Sequence, residues 1–183
     1  MNEFWRKTVH MVFGLLITLL IYYVPKESTL IILGVGLLVG FWFIDLEMRN
    51  IRVPLIHELL HHLERPGVFP GKGAFYFVFT ALVTLILFPS SVAALGVLIL
   101  SVLDGMATIF GLKYGRIRII NHKSIEGSCG AILVTFVVLL FFVNPVQAAV
   151  LSVVAGIVEL GSPIDDNLLL PLVVDLLVVM VPW

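Results

Sequence analysis

Apolar residues run through this chain in seven stretches, roughly 8–24, 28–44, 73–88, 91–110, 128–143, 145–160 and 168–183, separated by short polar or proline-bearing segments. A helix crosses a hydrocarbon core with about 20 mostly apolar residues, fewer where the bilayer thins or flanking side chains reach for water. The pattern therefore predicts an all-α polytopic membrane protein of about seven transmembrane helices, in one domain over residues 1–183. Pro25, Pro89, Pro145 and the Ser162-Pro163 pair fall between the stretches, where a missing backbone donor costs least. Asn144, Pro145 and Gln147 read as N-cap, N1 and N3 of the sixth helix, and Asn167 as the cap of the seventh, which is short and interrupted by Asp175. Residues 53–65 follow a different pattern. At about 100° per residue, Val53, Ile56, Leu59, Leu60 and Leu63 share one face, and His57, Glu58, His61, Glu64 and Arg65 share the other. This predicts an amphipathic helix lying in the membrane interface, bounded by Pro54 and Pro66-Gly67.

Composition supports the membrane reading. The chain is 60% hydrophobic with a mean hydropathy of +1.13, and 13% of its residues are charged, against about 25% in a soluble domain. The net charge of −1 matters less than where the charges lie, and no nucleic-acid partner is expected. Arg6 and Lys7 precede the first stretch; Arg49, Arg52, Arg65 and Lys72 separate the second from the third; Lys113, Arg116, Arg118 and Lys123 separate the fourth from the fifth. With seven crossings, ten of eleven basic residues face one side and only Lys26 the other, so the N-terminus is expected in the cytoplasm and the C-terminus outside. The opening MNEFWRK and its apolar run end in IYYVPKES without a small-residue cleavage site, so a retained first helix is expected rather than a secretory signal. Cys129 is the single cysteine, which excludes an internal disulfide; among apolar neighbours it is expected to be a small packing residue.

The acidic residues join the basic ones. Asp45, Glu47, Asp104, Glu126, Glu159, Asp165 and Asp166 all fall at or near the same ends of the predicted helices, forming one polar layer over an apolar bundle. Ionisable groups at membrane depth are costly and mark function more often than not. Asp104, about six residues inside the fourth stretch, is the sharpest case; the alternative is a carboxylate paired with a basic residue to hold helices together. The segment LDGMATIFGLKYGRIRIINHKSIEGSCG, residues 103–130, has the layout of a phosphate site. Gly111, Gly115 and Gly127 allow close backbone approach, and Lys113, Arg116 and Lys123 add positive charge. The start of the fifth helix, after Ser124, should aim free N–H groups toward the cytoplasm. Asp104, Glu126, Asp165 and Asp166 are hard oxygen ligands of the kind Mg²⁺ takes, one or two at a time, beside substrate phosphates. Together these pieces suit phosphoryl transfer, although basic loop residues also serve topology and Gly-x-x-x-Gly also serves helix packing. Arg6, Lys7 and His10 fit either phosphate contact or a basic anchor. Asp45 and Arg49 fit an i,i+4 ion pair, with Arg49 a further phosphate candidate.

These segments resemble the CTP-dependent lipid-alcohol kinases, comprising dolichol kinase, phytol kinase and the CTP-using diacylglycerol kinase, which are related to the phosphatidate cytidylyltransferases. RKTVH resembles the family's opening R-K-x-x-H, and ERPGVFPGKGAFYF its turn into Gly-Ala plus aromatics. LDGMATIFGLKYG with NHKSIEGS resembles D-x-x-A…G-x-x-x-G…K-[ST]-x-E-G, and VELGSPIDDNLLLP the closing E…D-[DN]-x-x-x-P. The resemblance implies transfer of the γ-phosphate of CTP to the hydroxyl of a membrane lipid alcohol, with Mg²⁺ or another divalent cation. It implies that Asp104, Gly111, Gly115, Lys123, Glu126 and Gly127 form the nucleotide and metal site and that Glu159, Asp166 and Asn167 complete it. Lys123 would neutralise phosphate, Asp104 and Asp166 would hold the metal, and Glu126 or Glu159 would orient or deprotonate the alcohol. Gly105 departs from a commoner alanine or threonine. The aromatics Phe75, Phe77 and Phe79 and the glycines of LGVGLLVG could line a lipid groove. A cytoplasm-facing site is expected, in the cell membrane of a prokaryote or the endoplasmic reticulum of a eukaryote; a homo-oligomer is possible but not readable.

Three other readings compete. A cytidylyltransferase would expel pyrophosphate instead. An intramembrane zinc protease would use HELLH, residues 57–61, with Leu103-Asp104-Gly105, yet the polar face of 53–65 places the histidines at the interface rather than in the membrane. A small transporter would carry charge at the midplane, where only Asp175 falls.

Overall fold

The computed structural model describes residues 3–51, 53–54, 57–58, 70–119, 123–162 and 164–181. They form seven helices: α1 Glu3–Tyr23, α2 Lys26–Met48, α3 Lys72–Leu87, α4 Ser90–Tyr114, α5 Ile125–Leu139, α6 Pro145–Gly161 and α7 Asp166–Met180. Each apolar stretch is helical. Three helices, α1, α2 and α4, are long and apolar enough to cross a membrane, while α3, α5 and α6 are shorter apolar helices. The protein is thus a helical membrane protein. The amphipathic helix expected over 53–65, with His61, Glu64 and Arg65, lies mainly outside the described residues, as do Pro66-Gly67 and Pro163.

Helix ends depart from the apolar stretches because caps, not hydropathy, terminate helices. Ser124 caps α5 by accepting from the Gly127 N–H, and Asn144 caps α6 by accepting from Gln147 with Pro145 following, as its residue types predict. The cap of α7 is Asp165, whose side chain accepts from the Asn167 N–H; Asn167, expected in that role, lies two positions later, inside the first turn. The fourth helix runs on to Tyr114, so Asp104 stands ten residues from its end rather than six.

At the centre is α4, packed against α1, α3, α5, α6 and α7. Every residue from Ala93 to Gly105 is buried, as expected of a helix that is apolar all round. Lipid tails are as apolar as leucine, so helices in a bilayer gain by close packing, which small residues permit. A Cβ at Gly14 of α1 would collide with the Ser101 side chain of α4, and one at Gly156 of α6 would collide with Ile132 of α5. Gly96 of α4 likewise faces the fully buried Asp175 of α7. Cys129 is exposed, not a packing residue, because α5 turns Gly127, Ser128 and Ala131 inward. Gly71 precedes α3 at φ 72 and lies against Ile44, a place for no other residue type.

These contacts predict opposite effects for two glycine substitutions. Gly14→Val should overpack the α1–α4 seam and lower stability by roughly 1–3 kcal/mol. Gly34→Ala in α2, where a Cβ meets nothing within 4 Å, should be neutral or stabilising by up to about 1 kcal/mol. Reversible unfolding in mixed micelles checks both, and equal effects would refute the packing account.

Candidate functional site

Charged groups of six helix ends or loops converge at one end of the bundle. From α1, Lys7 Nζ reaches both carboxylate oxygens of Asp104 on α4, at 2.6 and 2.5 Å. His10, one turn further along α1, brings Nε2 to 3.5 Å from Asp104 Oδ2 and sets its ring edge-on to Phe77, 4.8 Å between centroids. The backbone spacing explains why: residues 7 and 10 lie on one helical face, and that face packs on α4. Asp104 is 6% exposed, so its charge persists only because Lys7 sits beside it.

A second knot lies between α5, α6 and α7. Lys123, just ahead of the Ser124 cap, donates to Asp166 Oδ2 at 2.7 Å and to the Glu159 carbonyl, with Glu159 Oε1 at 3.3 Å. Glu159 is buried at the last turn of α6, and Ser128 Oγ donates to its Oε2 at 2.8 Å. An ammonium at a helix C-terminus also meets the negative end of the helix dipole. Burial alone would lower the Lys123 pKa, but the hydrogen bond to Asp166 and the charges of Glu159 and Asp166 outweigh it and hold it above the usual lysine range. Next to this knot, Asp165 Oδ1 accepts from the backbone N–H and the Nδ2 of Asn167, and its Oδ2 stands 3.8 Å from Lys72 Nζ. Three lysines thus meet four carboxylates, Asp104, Glu159, Asp165 and Asp166.

Other predicted residues serve the frame. Glu126 accepts from the Arg116 and Ile117 N–H groups at 3.0 and 3.2 Å. Together with an Arg118–Ser124 bridge, this draws residues 116–119 alongside residues 123–126. The first N–H groups of α5 are not free for phosphate as expected: Ile125 donates to the Ile117 carbonyl and Gly127 to Ser124. Gly111, Gly115 and Gly127 crowd one another and Ser124, where any Cβ on Gly115 or Gly127 would strike backbone. They let α4 and α5 touch, which is what carries Lys123 to Glu159. Arg6 pairs with Glu3 and exposed Arg49 with Asp45; Lys113, over the Tyr114 ring, and Arg116 are exposed. The buried knot takes in none of these four basic residues through the bonds described here. His57 of HELLH meets Glu47, Nδ1 to Oε1 at 2.6 Å; residues 59–61 lie outside the described residues. Phe77 is buried against His10 rather than lining a groove, whereas Phe75 and Phe79 stack at 6.0 Å.

Sequence reading missed Ser128 and Lys72 as members of this cluster. Ser128 is one of many small residues on a membrane helix, and only the fold shows its partner 31 residues away. The remaining oxygens suit a hard divalent cation. Asp166 Oδ1 and Asn167 Oδ1 are buried without a hydrogen-bond partner, and Pro171 has no N–H to offer the Asn167 carbonyl four residues earlier. No group of three His, Cys, Asp or Glu gathers at metal-binding distance among the described residues. That donor set fits Mg²⁺, which usually takes one or two carboxylates and completes its shell with water and phosphate oxygens.

Comparison with known proteins adds two likenesses. Over 89 residues, 42% of this chain, it is 32% identical to dolichol kinase of Saccharomyces cerevisiae, though this matches only 17% of that enzyme. No protein-family model and no solved structure matches the chain. With an uncharacterized protein of Methanocaldococcus jannaschii it shares 31% identity over 182 residues, 97% of this chain and 93% of the other. Identity sustained across nearly the whole of both sequences means that the chain belongs to the same family as that Methanocaldococcus jannaschii protein.

Proposed function

We propose that this protein is a lipid-alcohol kinase, moving the γ-phosphate of CTP to the hydroxyl of a prenol, phytol-like alcohol or diacylglycerol and releasing CDP. The observation that carries the reading is the double knot of Lys7–Asp104 and Lys123–Glu159–Asp166 at one end of an apolar bundle. The partial identity to dolichol kinase supports it. In this reading all seven helices cross the bilayer, N-terminus in the cytoplasm and C-terminus outside, and the knot faces the cytoplasm. A water-soluble nucleotide and a membrane-bound acceptor then meet at the one layer both can reach.

In the resting protein each lysine is neutralised by a carboxylate. A bound triphosphate brings its own negative charge, takes Lys7 and Lys123 as phosphate partners and loosens their hold on Asp104 and Asp166. Those two carboxylates, with Asp165 beside them, would hold Mg²⁺, which when bound supplies charge neutralisation at the phosphate oxygens. Glu159, fixed by Ser128 on one oxygen and facing Lys123 with the other, accepts the hydroxyl proton. The alcohol oxygen bonds to the γ-phosphorus as the bond to the bridging oxygen breaks and CDP departs. Glu126 is committed to the loop, which leaves Glu159 as the stronger choice for the base.

The direct test is protein purified in detergent with γ-labelled CTP, Mg²⁺ and a panel of prenols and diacylglycerol. Label in a lipid phosphate with CDP released is expected; pyrophosphate release would indicate cytidylyl transfer instead. Lys123→Ala and Asp104→Asn should each lower kcat/KM by roughly 10²–10³-fold, the loss typical of one charge-stabilising group. His57→Ala should retain most of the activity, with size-exclusion profiles confirming that each variant is folded. Activity unchanged in Lys123→Ala would remove the knot from the chemistry.

The raised pKa of Lys123 sets a pH window. A folded-state value above the unfolded 10.5 means that its stabilisation is complete below that pH and is lost as pH climbs through the folded value. The stability gap between wild type and Lys123→Met should therefore stay level from about pH 8 to about pH 9.5, where its partner carboxylates are ionised, and narrow only beyond 10.5. A gap already closing as pH rises from about 8 to about 9 in thermal unfolding would contradict the pairing.

A further inference from the structure

A cleft of about 240 Å³ opens between α2 and α3, with Gly36, Gly40, Phe43, Gly71, Ala74 and Phe75 in its walls. Its lining is almost entirely carbon. Gly36 and Gly40 are one turn apart on α2, and a Cβ on either would meet nothing within 4 Å. These glycines thus open a slot on the outer face of the bundle, whereas Gly14 and Gly156 make contacts within it. Eight residues of each wall, 36 to 43 on α2 and 71 to 78 from the cap of α3 onward, make the slot about 10 Å long at about 1.5 Å per step. A volume of about 240 Å³ over that length leaves room for one hydrocarbon chain and not for two side by side, and the Phe75–Phe79 stack continues its wall along α3.

The slot ends at the candidate site. Gly71 leads directly into Lys72, whose ammonium lies 3.8 Å from Asp165 Oδ2 and 5.3 Å from the centre of the Tyr76 ring. One residue further, a Cβ on Gly73 would stand 4.0 Å from Asn167 Nδ2, so the first turn of α3 brushes the start of α7. Along its length the feature therefore passes from pure hydrocarbon to an ammonium, a carboxylate and the buried, unpartnered Asn167 Oδ1. A hydroxyl, which both donates and accepts, matches that end before reaction, and the Lys72 charge matches a phosphate after it.

We infer that the α2–α3 cleft seats a single hydrocarbon chain of the acceptor alcohol, with the hydroxyl end at Lys72, Asp165 and Asn167. The inference rests on the lipid-alcohol reading and sharpens it: the preferred acceptor carries one slender chain, as a prenol does, rather than the two of diacylglycerol. The part of a long prenol beyond the slot lies along α2 in the surrounding lipid. Filling the slot should leave the fold intact, because leucine at position 36 or 40 enters open space.

The test uses full-length protein in phospholipid nanodiscs and a long-chain prenol carrying a diazirine on its chain. On illumination, label should concentrate in peptides covering residues 36–44 and 71–78, and excess unlabelled prenol should displace it. Gly36→Leu and Gly40→Leu should cut capture and raise KM for the prenol by roughly tenfold, the scale on which a hydrophobic pocket discriminates. Label spread evenly over the lipid-facing helices, or a diazirine phospholipid captured equally well in the slot, overturns the assignment. Competed capture without γ-phosphate transfer would leave the cleft standing as an alcohol site and defeat the kinase reading. Normal transfer by Gly40→Leu with unchanged KM would do the reverse.

Discussion

A carboxylate in the most buried helix of a membrane protein persists as an anion only with a cation at its side, and the organisation of this molecule follows from that constraint. Asp104 lies where α4 is enclosed on all sides, and Lys7 is the cation that compensates it. To supply that ammonium, α1 must run alongside α4 in one register, which Gly14 against Ser101 and Gly105 against Met11 make possible by bringing the backbones close. Glu159 obeys the same rule. It is buried at 3% exposure, and the lysine that answers it comes from the loop before α5. Removing either lysine would strand a charge in a poor solvent, so each pair locks two or more helices together.

The same pairs make the cluster suitable for chemistry. Ion pairs at a wet end of a bundle can exchange partners: a ligand with its own negative charge replaces the carboxylate at the lysine, and the released carboxylate becomes available to a cation. Under the proposed function, the arrangement is stable without ligand and would take a phosphate by exchange of ion-pair partners alone. The bonds from Arg116 and Ile117 to Glu126, and the touching glycines at 111 and 127, fix Lys123 where it can be shared between Glu159 and Asp166. Residues that are chemically inert in this sense decide the geometry of those that are not. Beside this half, α2 packs mainly on α3 and leaves an apolar cleft between them.

Some of this was legible along the chain. Seven apolar stretches correspond to seven helices because hydrophobicity over 15 to 20 residues is a local property, and the capping of α6 by Asn144 needed only positions 144, 145 and 147. The polar layer could be anticipated too, since Lys123, Glu159 and Asp166 flank helix ends on one side of the predicted bundle and Asp104 is the one charge inside the fourth apolar stretch. What those residues do to one another could not. Lys7 and Asp104 are 97 positions apart and Lys123 and Asp166 are 43 apart, and no local pattern states which of several lysines meets which carboxylate. Glu126 and Ser124 looked like ligands by type, whereas packing assigns them to the loop and to the helix cap.

The sequence by itself determined that this chain is a helical membrane protein with its charge gathered at helix ends, because burial of apolar side chains in lipid depends on composition and period alone. Tertiary structure alone decided that Lys7 belongs to Asp104 and Lys123 to Glu159 and Asp166. It also decided that Cys129 faces outward, that Phe77 packs on His10 and that two glycines of α2 open a slot. Each of these outcomes depends on the rotation and register of one helix against another. Those are set by the summed close contacts of small residues across the seams, a quantity that no single stretch of chain contains.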